Sequence, residues 1–377
     1  MEQAGVYIHV PFCRARCSYC DFATGTYQEA AAVRYVSALV AEIEAFERAA
    51  RPVVDTIYFG GGTPSLLTPT QIDTILAAVR QRFRVHTDAE VTLELNPGTV
   101  TPDSLRGYAA AGVNRASFGL QTFDDEQLRR LGRTHTAADA RRTFARLRAA
   151  GFRNVSFDLI AGLPGQTLAQ WAHNLDAALA LGPAHLSLYL LEVHEGTPLA
   201  AQIARGQWPA PDPDAAAEMY RLMLERTAAA GYEHYEISNF CRPGRESRHN
   251  LKYWTGAPYY GFGNSAHSFD GARTRWANER DAARYVELIE TQRTAVVETV
   301  ALDERDASAE ALFLGLRLAR GVNLAAHRAR FGTDVRATHA ADLARFREAG
   351  LIELADDRLR LTRTGALLSN EVFAAFV

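Results

Sequence analysis

Three cysteines fall within eight residues, in the spacing Cys13-x3-Cys17-x2-Cys20. Thiolates are the standard protein ligands of iron–sulfur clusters. Three of them on one tight loop can hold three irons of a [4Fe–4S] cubane and leave the fourth iron without a protein ligand. That open iron can bind the amino and carboxylate groups of S-adenosylmethionine (SAM), and an electron from the cluster can then cleave the C5′–S bond reductively. Three plainer readings compete. A zinc site needs four ligands, and only His9 or a distant residue could complete it. A redox Cys-x-x-Cys pair leaves Cys13 unexplained. Buried structural cysteines do not suit a polar loop that also carries Arg14 and Arg16. Tyr19, between the last two cysteines, either covers an adenine or packs the loop.

A second set of residues has the types a SAM site needs. Gly60-Gly61-Gly62-Thr63-Pro64 follows an apolar run. Glycines let a ligand approach the backbone closely, so Gly61, Gly62 and Thr63 are candidates to meet the amino group of SAM. The Lys-Ser/Thr ending of a phosphate-binding loop is missing. Glu94, Gln121, Arg133 and Asp158 fall on or just past predicted strand ends. Asp158 sits in the otherwise apolar run Phe157-Asp158-Leu159-Ile160, where an unpaired carboxylate costs several kcal/mol. Either an arginine pairs with it, or it lines a polar cleft with the other three and binds the ribose and carboxylate of SAM.

These residues need a scaffold, and the first half of the chain supplies alternating short β-rich runs and helical runs. Strands are expected at Val6–Val10, Thr56–Phe59, Val91–Leu95, Asn114–Gly119, Val155–Ile160 and His185–Leu190. Helices are expected at Glu29–Ala49, Pro69–Phe83, Pro102–Ala111, Asp124–Leu131, Ala137–Ala149 and Leu168–Leu181. Six strand–helix units predict an α/β fold with a parallel sheet, curled by right-handed crossovers into a partial (β/α)6 barrel. Chemistry in such folds sits at the C-terminal strand ends, where the motifs fall.

Beyond residue 195 the alternation loosens. Pro209-Ala210-Pro211-Asp212-Pro213 is a break, a helix follows at Asp214–Ala230, and an aromatic, Gly-rich stretch runs from Tyr232 to Arg275. From about residue 300 two helices, the run Leu359–Thr362 and a terminal helix suggest a small winged-helix-like module. The predicted division is a barrel core at 1–195, a barrel extension at 196–295 and a C-terminal module at 296–377. With 377 residues, 47% of them apolar, and a net charge of −3, the chain can bury sizeable cores and has no electrostatic footprint for nucleic acid. Lys252 is the only lysine, which fits a GC-rich coding bias. No run approaches the ~18–20 apolar residues of a membrane span, and the N-terminus does not read as a signal peptide. Clustered cysteines and the absent signal point to the reducing cytoplasm.

Taken with Tyr7, the cysteine loop, the glycine turn, Glu94, Gln121, Arg133 and Asp158 resemble the oxygen-independent coproporphyrinogen III oxidase-like family of radical SAM proteins. The resemblance covers nearly the whole chain. It implies the partial barrel with a largely helical C-terminal domain, a [4Fe–4S] cluster, and SAM contacts from Tyr7, Gly61, Gly62, Thr63, Glu94, Gln121, Arg133 and Asp158. Two subgroups differ. The oxidases carry a fourth cysteine two residues after the third, where this chain has Phe22, and a longer arm before the cluster. The HemW-type haem chaperones carry His-Asn-x-x-Tyr-Trp, which this chain matches at His249-Asn250-Leu251-Lys252-Tyr253-Trp254.

The chaperone resemblance implies haem as cargo and His249 as its axial ligand, since imidazole suits haem iron. Tyr253, Trp254, Tyr259, Tyr260 and Phe262 would flank the porphyrin, and Arg245 and Arg248 would meet its propionates. The plainer reading makes His249-Asn250 a hydrogen-bonded turn with aromatic core residues behind it. Cys241 competes as ligand or is a free thiol, and His267, in a Gly-rich turn, reads as structural. The implied partners are haem-acceptor proteins such as respiratory enzymes, with peripheral membrane contact and a homodimer, and no nucleic acid. The alternative activity is oxidative decarboxylation of coproporphyrinogen III.

Overall fold

The computed structural model describes residues 3–48 and 51–376. Strands β1 (Ala4–Val10), β2 (Val53–Gly61), β3 (Arg84–Leu95), β4 (Arg115–Gln121), β5 (Asn154–Ala161) and β6 (His185–Leu190) lie side by side in chain order, each pair parallel. Between them run α1 (Glu29–Ala45), α2 (Pro69–Arg82), α3 (Pro102–Ala111), α4 (Asp125–Arg130), α5 (Ala137–Ala149) and α6 (Leu168–Leu181). The helix expected to reach Ala49 ends at Ala45, and residues 49 and 50 lie outside the described residues.

The strand period of two explains the layering. Val6 and Ile8, Ile57 and Phe59, Val91 and Leu93, Ala116 and Phe118, Val155 and Phe157, and Leu186 and Leu188 are buried in one core cluster that includes the helix residues. The residues between them are polar: Tyr7 and His9, Thr56 and Tyr58, Glu90 and Glu94, Arg115 and Ser117, Ser156 and Asp158, His185 and Ser187. They share the inner face of the curled sheet, so this barrel has a polar lumen. Entry into the helices is set by capping. Thr68, Thr101, Thr136 and Thr167 each close a capping box at the start of α2, α3, α5 and α6, satisfying orphan backbone donors after the loops that carry the site.

The aromatic stretch after residue 230 is more regular than its composition suggests. Strands β7 (Glu233–Glu236), β8 (Asn239–Cys241), β9 (Tyr259–Phe262), β10 (His267–Phe269), β11 (Thr274–Asn278) and β12 (Val296–Ala301) extend the sheet to twelve strands, ordered β12-β11-β10-β9-β1-β2-β3-β4-β5-β6-β8-β7. The first barrel strand is thus flanked by β9, parallel to it, and the sheet runs to Ala301. Three more helices follow β6 in this half: α7 (Pro198–Ala204), α8 (Pro213–Ala229) and α9 (Arg248–Thr255). The last of these closes the N-terminal end of the barrel.

After α10 (Ala282–Gln292), α11 (Glu304–Leu316) leads into a module with its own core, built on Leu312, Leu316, Phe346, Leu359 and Val372, and a small three-stranded antiparallel sheet. Ala319 N–H donates to the Tyr235 carbonyl at 3.0 Å, and Arg275 pairs with Glu310, tying the module to the barrel sheet. Among the described residues no helix is long and apolar enough to cross a membrane.

Candidate functional site

The three clustered cysteines stand on the loop after β1, at the C-terminal end of the barrel. All are free and partly exposed. The loop is held from several sides: Tyr27 N–H donates to Cys13 O at 2.9 Å, Ser18 N–H to Leu131 O at 3.0 Å, and Leu199 N–H to Ser18 O at 2.8 Å. Two donors face sulfur, Thr63 Oγ1 at 3.7 Å from Cys13 Sγ and Arg133 Nη1 at 3.4 Å from Cys17 Sγ. Burial pushes the Cys13 and Cys20 thiols up, so their thiolate form needs a cationic partner such as bound iron. A loop of three soft ligands with donors aimed at sulfur fits a [4Fe–4S] cluster. Zinc fits less well. His9, its expected fourth ligand, spends both ring nitrogens elsewhere, and no three His, Cys, Asp or Glu side chains among the described residues converge as a single-ion site.

The backbone platform lies beside this loop. Gly62 N–H donates to Val10 O at 2.8 Å and Thr63 N–H to Phe12 O at 2.8 Å. A Cβ on Gly62 would stand 2.7 Å from Phe12 O and 3.0 Å from Cys13 Sγ, so only glycine lets the platform approach the loop this closely.

Below it, the lumen gathers the predicted polar residues. Tyr58 OH donates to Glu94 Oε1 at 2.7 Å and Gly61 N–H to Glu94 Oε2 at 3.2 Å. Burial and the nearby Asp158 still push the Glu94 carboxyl up to about 7. Asp158 accepts from Ser117 Oγ at 3.3 Å and is raised by burial. The alternative of an arginine pair is not formed: Arg115 and Arg133 influence it, but no ion pair to Asp158 falls within 4 Å among the described residues. Arg133 reaches Asn96 Oδ1 at 2.5 Å and also Gly119 O. Gln121 is buried, with φ +68, a left-handed backbone that holds its side chain beside Gly119. Tyr7 stacks with Tyr58, ring centroids 6.3 Å apart. Tyr19 packs against Leu131, Ile160 and Leu163 and stays partly exposed.

Sequence reasoning missed Tyr58, Asn96 and Arg115. Tyr58 lies two residues before Gly60 on the same strand, so the period-two pattern carried its signal, and Asn96 lies just past the end of β3, two residues after Glu94. Arg115 is 2% exposed and faces Glu90 and Asp158 across the lumen.

His249 lies at the other end. It is 1% exposed, on the first turn of α9, beneath β1 and β2. Its Nδ1 is 2.9 Å from Thr56 Oγ1, and its Nε2 is 2.9 Å from Tyr253 OH. Burial, with Lys252 and Arg115 nearby, lowers its pKa to about 3 and keeps it neutral. Glu90 accepts the backbone N–H groups of Arg248 and His249 at 3.4 and 3.2 Å, and Asp55 pairs with Lys252 at 2.6 Å and Arg248 at 3.2 Å. The expectation that Arg248 stands ready for propionates is therefore corrected, because its guanidinium is engaged by Asp55 and by Asp88 O. Tyr260 and Phe262 face away, into the core with Phe46 and Phe83. Cys241 is fully buried in β8, its thiol pushed up to about 12 by burial, so it is a core thiol. His267, expected to be structural, is exposed.

The Radical SAM superfamily model matches residues 7–178 and the HemN C-terminal domain model residues 302–368. The chain is 37% identical to the Heme chaperone HemW of Bacillus subtilis over 373 residues, 98% of each chain. It is 40% identical to the Heme chaperone HemW of Mycobacterium tuberculosis over 372 residues, 98% of this chain and 93% of the relative. Among solved structures, the coproporphyrinogen III oxidase HemN of Escherichia coli, described as a radical SAM enzyme, superposes with a TM-score of 0.86 at 25% identity, covering all of this chain and 90% of that one.

Proposed function

From the premise that this chain belongs to the HemW haem chaperones of the radical SAM superfamily, we propose that it binds haem and delivers it to haem-requiring acceptors, respiratory enzymes among them. The setting is the cytoplasm, with peripheral membrane contact at delivery and a homodimer as the working form. The observation that carries the reading is the likeness to the curated haem chaperones over 98% of the chain, together with the His249-Asn250-Leu251-Lys252-Tyr253-Trp254 run. His249 itself is a buried, neutral imidazole with Nδ1 on Thr56 Oγ1 and Nε2 on the Tyr253 hydroxyl. A ligating histidine typically has its second ring nitrogen fixed by such a partner. Because the ring is buried, iron can reach Nε2 only if Tyr253 yields and α9 loosens.

The cofactor end supports the same reading. Cys13, Cys17 and Cys20 would hold the [4Fe–4S] cluster, and Tyr7, Tyr19, Gly61, Gly62, Thr63, Glu94, Gln121, Arg133 and Asp158 the SAM. When bound, the pair supplies one-electron reductive cleavage of a C–S bond. The chain's own part is to orient: Glu94 offers an acceptor to an ammonium, Gly61 and Gly62 bring backbone close, and Arg133 places positive charge beside Cys17. Phe22 stands where the oxidases carry their fourth cysteine, which favours the chaperone over a decarboxylase.

The test is a haemin titration of anaerobically reconstituted protein, following the Soret band in wild type and His249→Ala, with a parallel assay for coproporphyrinogen decarboxylation. Saturable haem binding weakened at least tenfold by His249→Ala, without decarboxylation, is the expected result. Unchanged binding in the variant removes His249 as ligand, and robust decarboxylation replaces the chaperone with the oxidase.

A further inference from the structure

One side chain, His9 at the C-terminal end of β1, touches both the cluster loop and the glycine platform. His9 is 4% exposed. Its Nε2 lies 3.1 Å from Ala23 O and its Nδ1 3.1 Å from the Tyr7 hydroxyl. A carbonyl oxygen can only accept, so Nε2 carries the proton, Nδ1 accepts, and Tyr7 donates. Ala23 is three residues past Cys20 on the cluster loop. The ring also packs on Gly61: a Cβ there would stand 2.7 to 3.0 Å from three ring atoms. The His9 carbonyl in turn accepts from Tyr35 OH at 2.9 Å, which pins the backbone from which the ring projects.

We infer that His9 is a positioning residue: its Nε2–H···O=C bond to Ala23 and its packing on Gly61 set the separation between the three-cysteine loop and the SAM-binding backbone. This rests on the cluster-and-SAM reading above and is independent of where haem binds. The hydrogen bond, and not ring volume alone, does the fixing, because Ala23 O is the ring's only polar tie to the loop among the described contacts.

Two substitutions separate donor from volume. His9→Gln keeps an N–H that can reach Ala23 O, while His9→Phe keeps a ring and loses the donor. Each is reconstituted anaerobically and assayed for iron and sulfide content, for the rate of iron loss to a ferrous chelator, and for the SAM concentration that shifts the EPR spectrum of the reduced cluster. His9→Gln is expected to stay within about twofold of wild type. His9→Phe is expected to lose iron about tenfold faster and to need about tenfold more SAM, the range typical when an outer-sphere partner is removed. Wild-type behaviour of His9→Phe overturns the inference. If neither variant folds by circular dichroism, His9→Asn decides. It keeps a polar side chain but is too short to hold both Ala23 O and the packing on Gly61, and faster iron loss supports the inference while an unchanged rate overturns it. Haem titration of the same samples is expected to be unaltered, so failure here leaves the haem reading standing.

Discussion

Glu94 is held between opposing influences. Burial and the neighbouring Asp158 push its carboxyl up to about 7, while donors from Tyr58 and Gly61 and the charge of Arg115 favour the ionised form. An ammonium such as that of SAM needs the carboxylate. SAM affinity should therefore be level above pH 7 and fall about tenfold for each unit below it, since protonation must be reversed before binding. Equilibrium dialysis of the reconstituted protein at pH 6, 7 and 8 measures this. Glu94→Gln should bind weakly with no such pH dependence. A wild-type affinity that does not change between pH 6 and 8 would show that Glu94 is not the group that meets the ammonium.

Among the elements that sequence reading missed is α9. Its residues read as an aromatic turn because Arg248–Thr255 is only eight residues long and holds Tyr, Trp and Thr, which form helices modestly. What makes it helical is tertiary: Ser247 caps it, Glu90 takes two of its N–H groups, and Asp55 fixes Lys252. Glu90 and Asp55 lie about 160 to 200 positions away in sequence, beyond any local pattern. The cysteine loop, the glycine turn and the six barrel strands were legible because spacing and period are local. Tyr58 beside Glu94, and His9 beside Ala23, depend on strand register and loop path, which are not. The helical spacing of His249 and Tyr253, four residues apart, puts both on one face and yields a prediction. Tyr253→Phe removes the hydroxyl that competes for Nε2 and should raise haem affinity severalfold. Thr56→Val removes the partner of Nδ1 and should lower it about tenfold. Opposite signs in Soret titrations are the signature, and a loss of equal size in both would mean that α9 simply needs its packing.

At the scale of the whole molecule, burying titratable groups has a cost that pH can expose. His9, His135, His185, His234, His249 and His327 are all held below the ordinary histidine range, chiefly by burial. Glu42, Glu94, Asp158 and Glu236 are held above the ordinary carboxylate range, again chiefly by burial. The two sets pull in opposite directions. A histidine with a lowered value takes up its proton on unfolding, so its contribution is present above about pH 6.5 and lost as pH falls. A carboxyl with a raised value releases its proton on unfolding, so its contribution is present at low pH and lost as pH rises, through about 7 for Glu42 and Glu94. Between about pH 5 and 6 the unfolded histidines are charged and the unfolded carboxyls ionised. Six histidines against four carboxyls then leave the unfolded chain holding more protons than the folded one. The slope is about 1.4 kcal/mol per pH unit for each such proton, so stability should rise with pH in that window. The anaerobic apoprotein should accordingly unfold at a lower temperature at pH 5.0 than at pH 6.0. An equal or higher midpoint at pH 5.0 would mean that the buried carboxyls outweigh the histidines. The fold would then be stabilised by shared protons and not by neutral imidazoles.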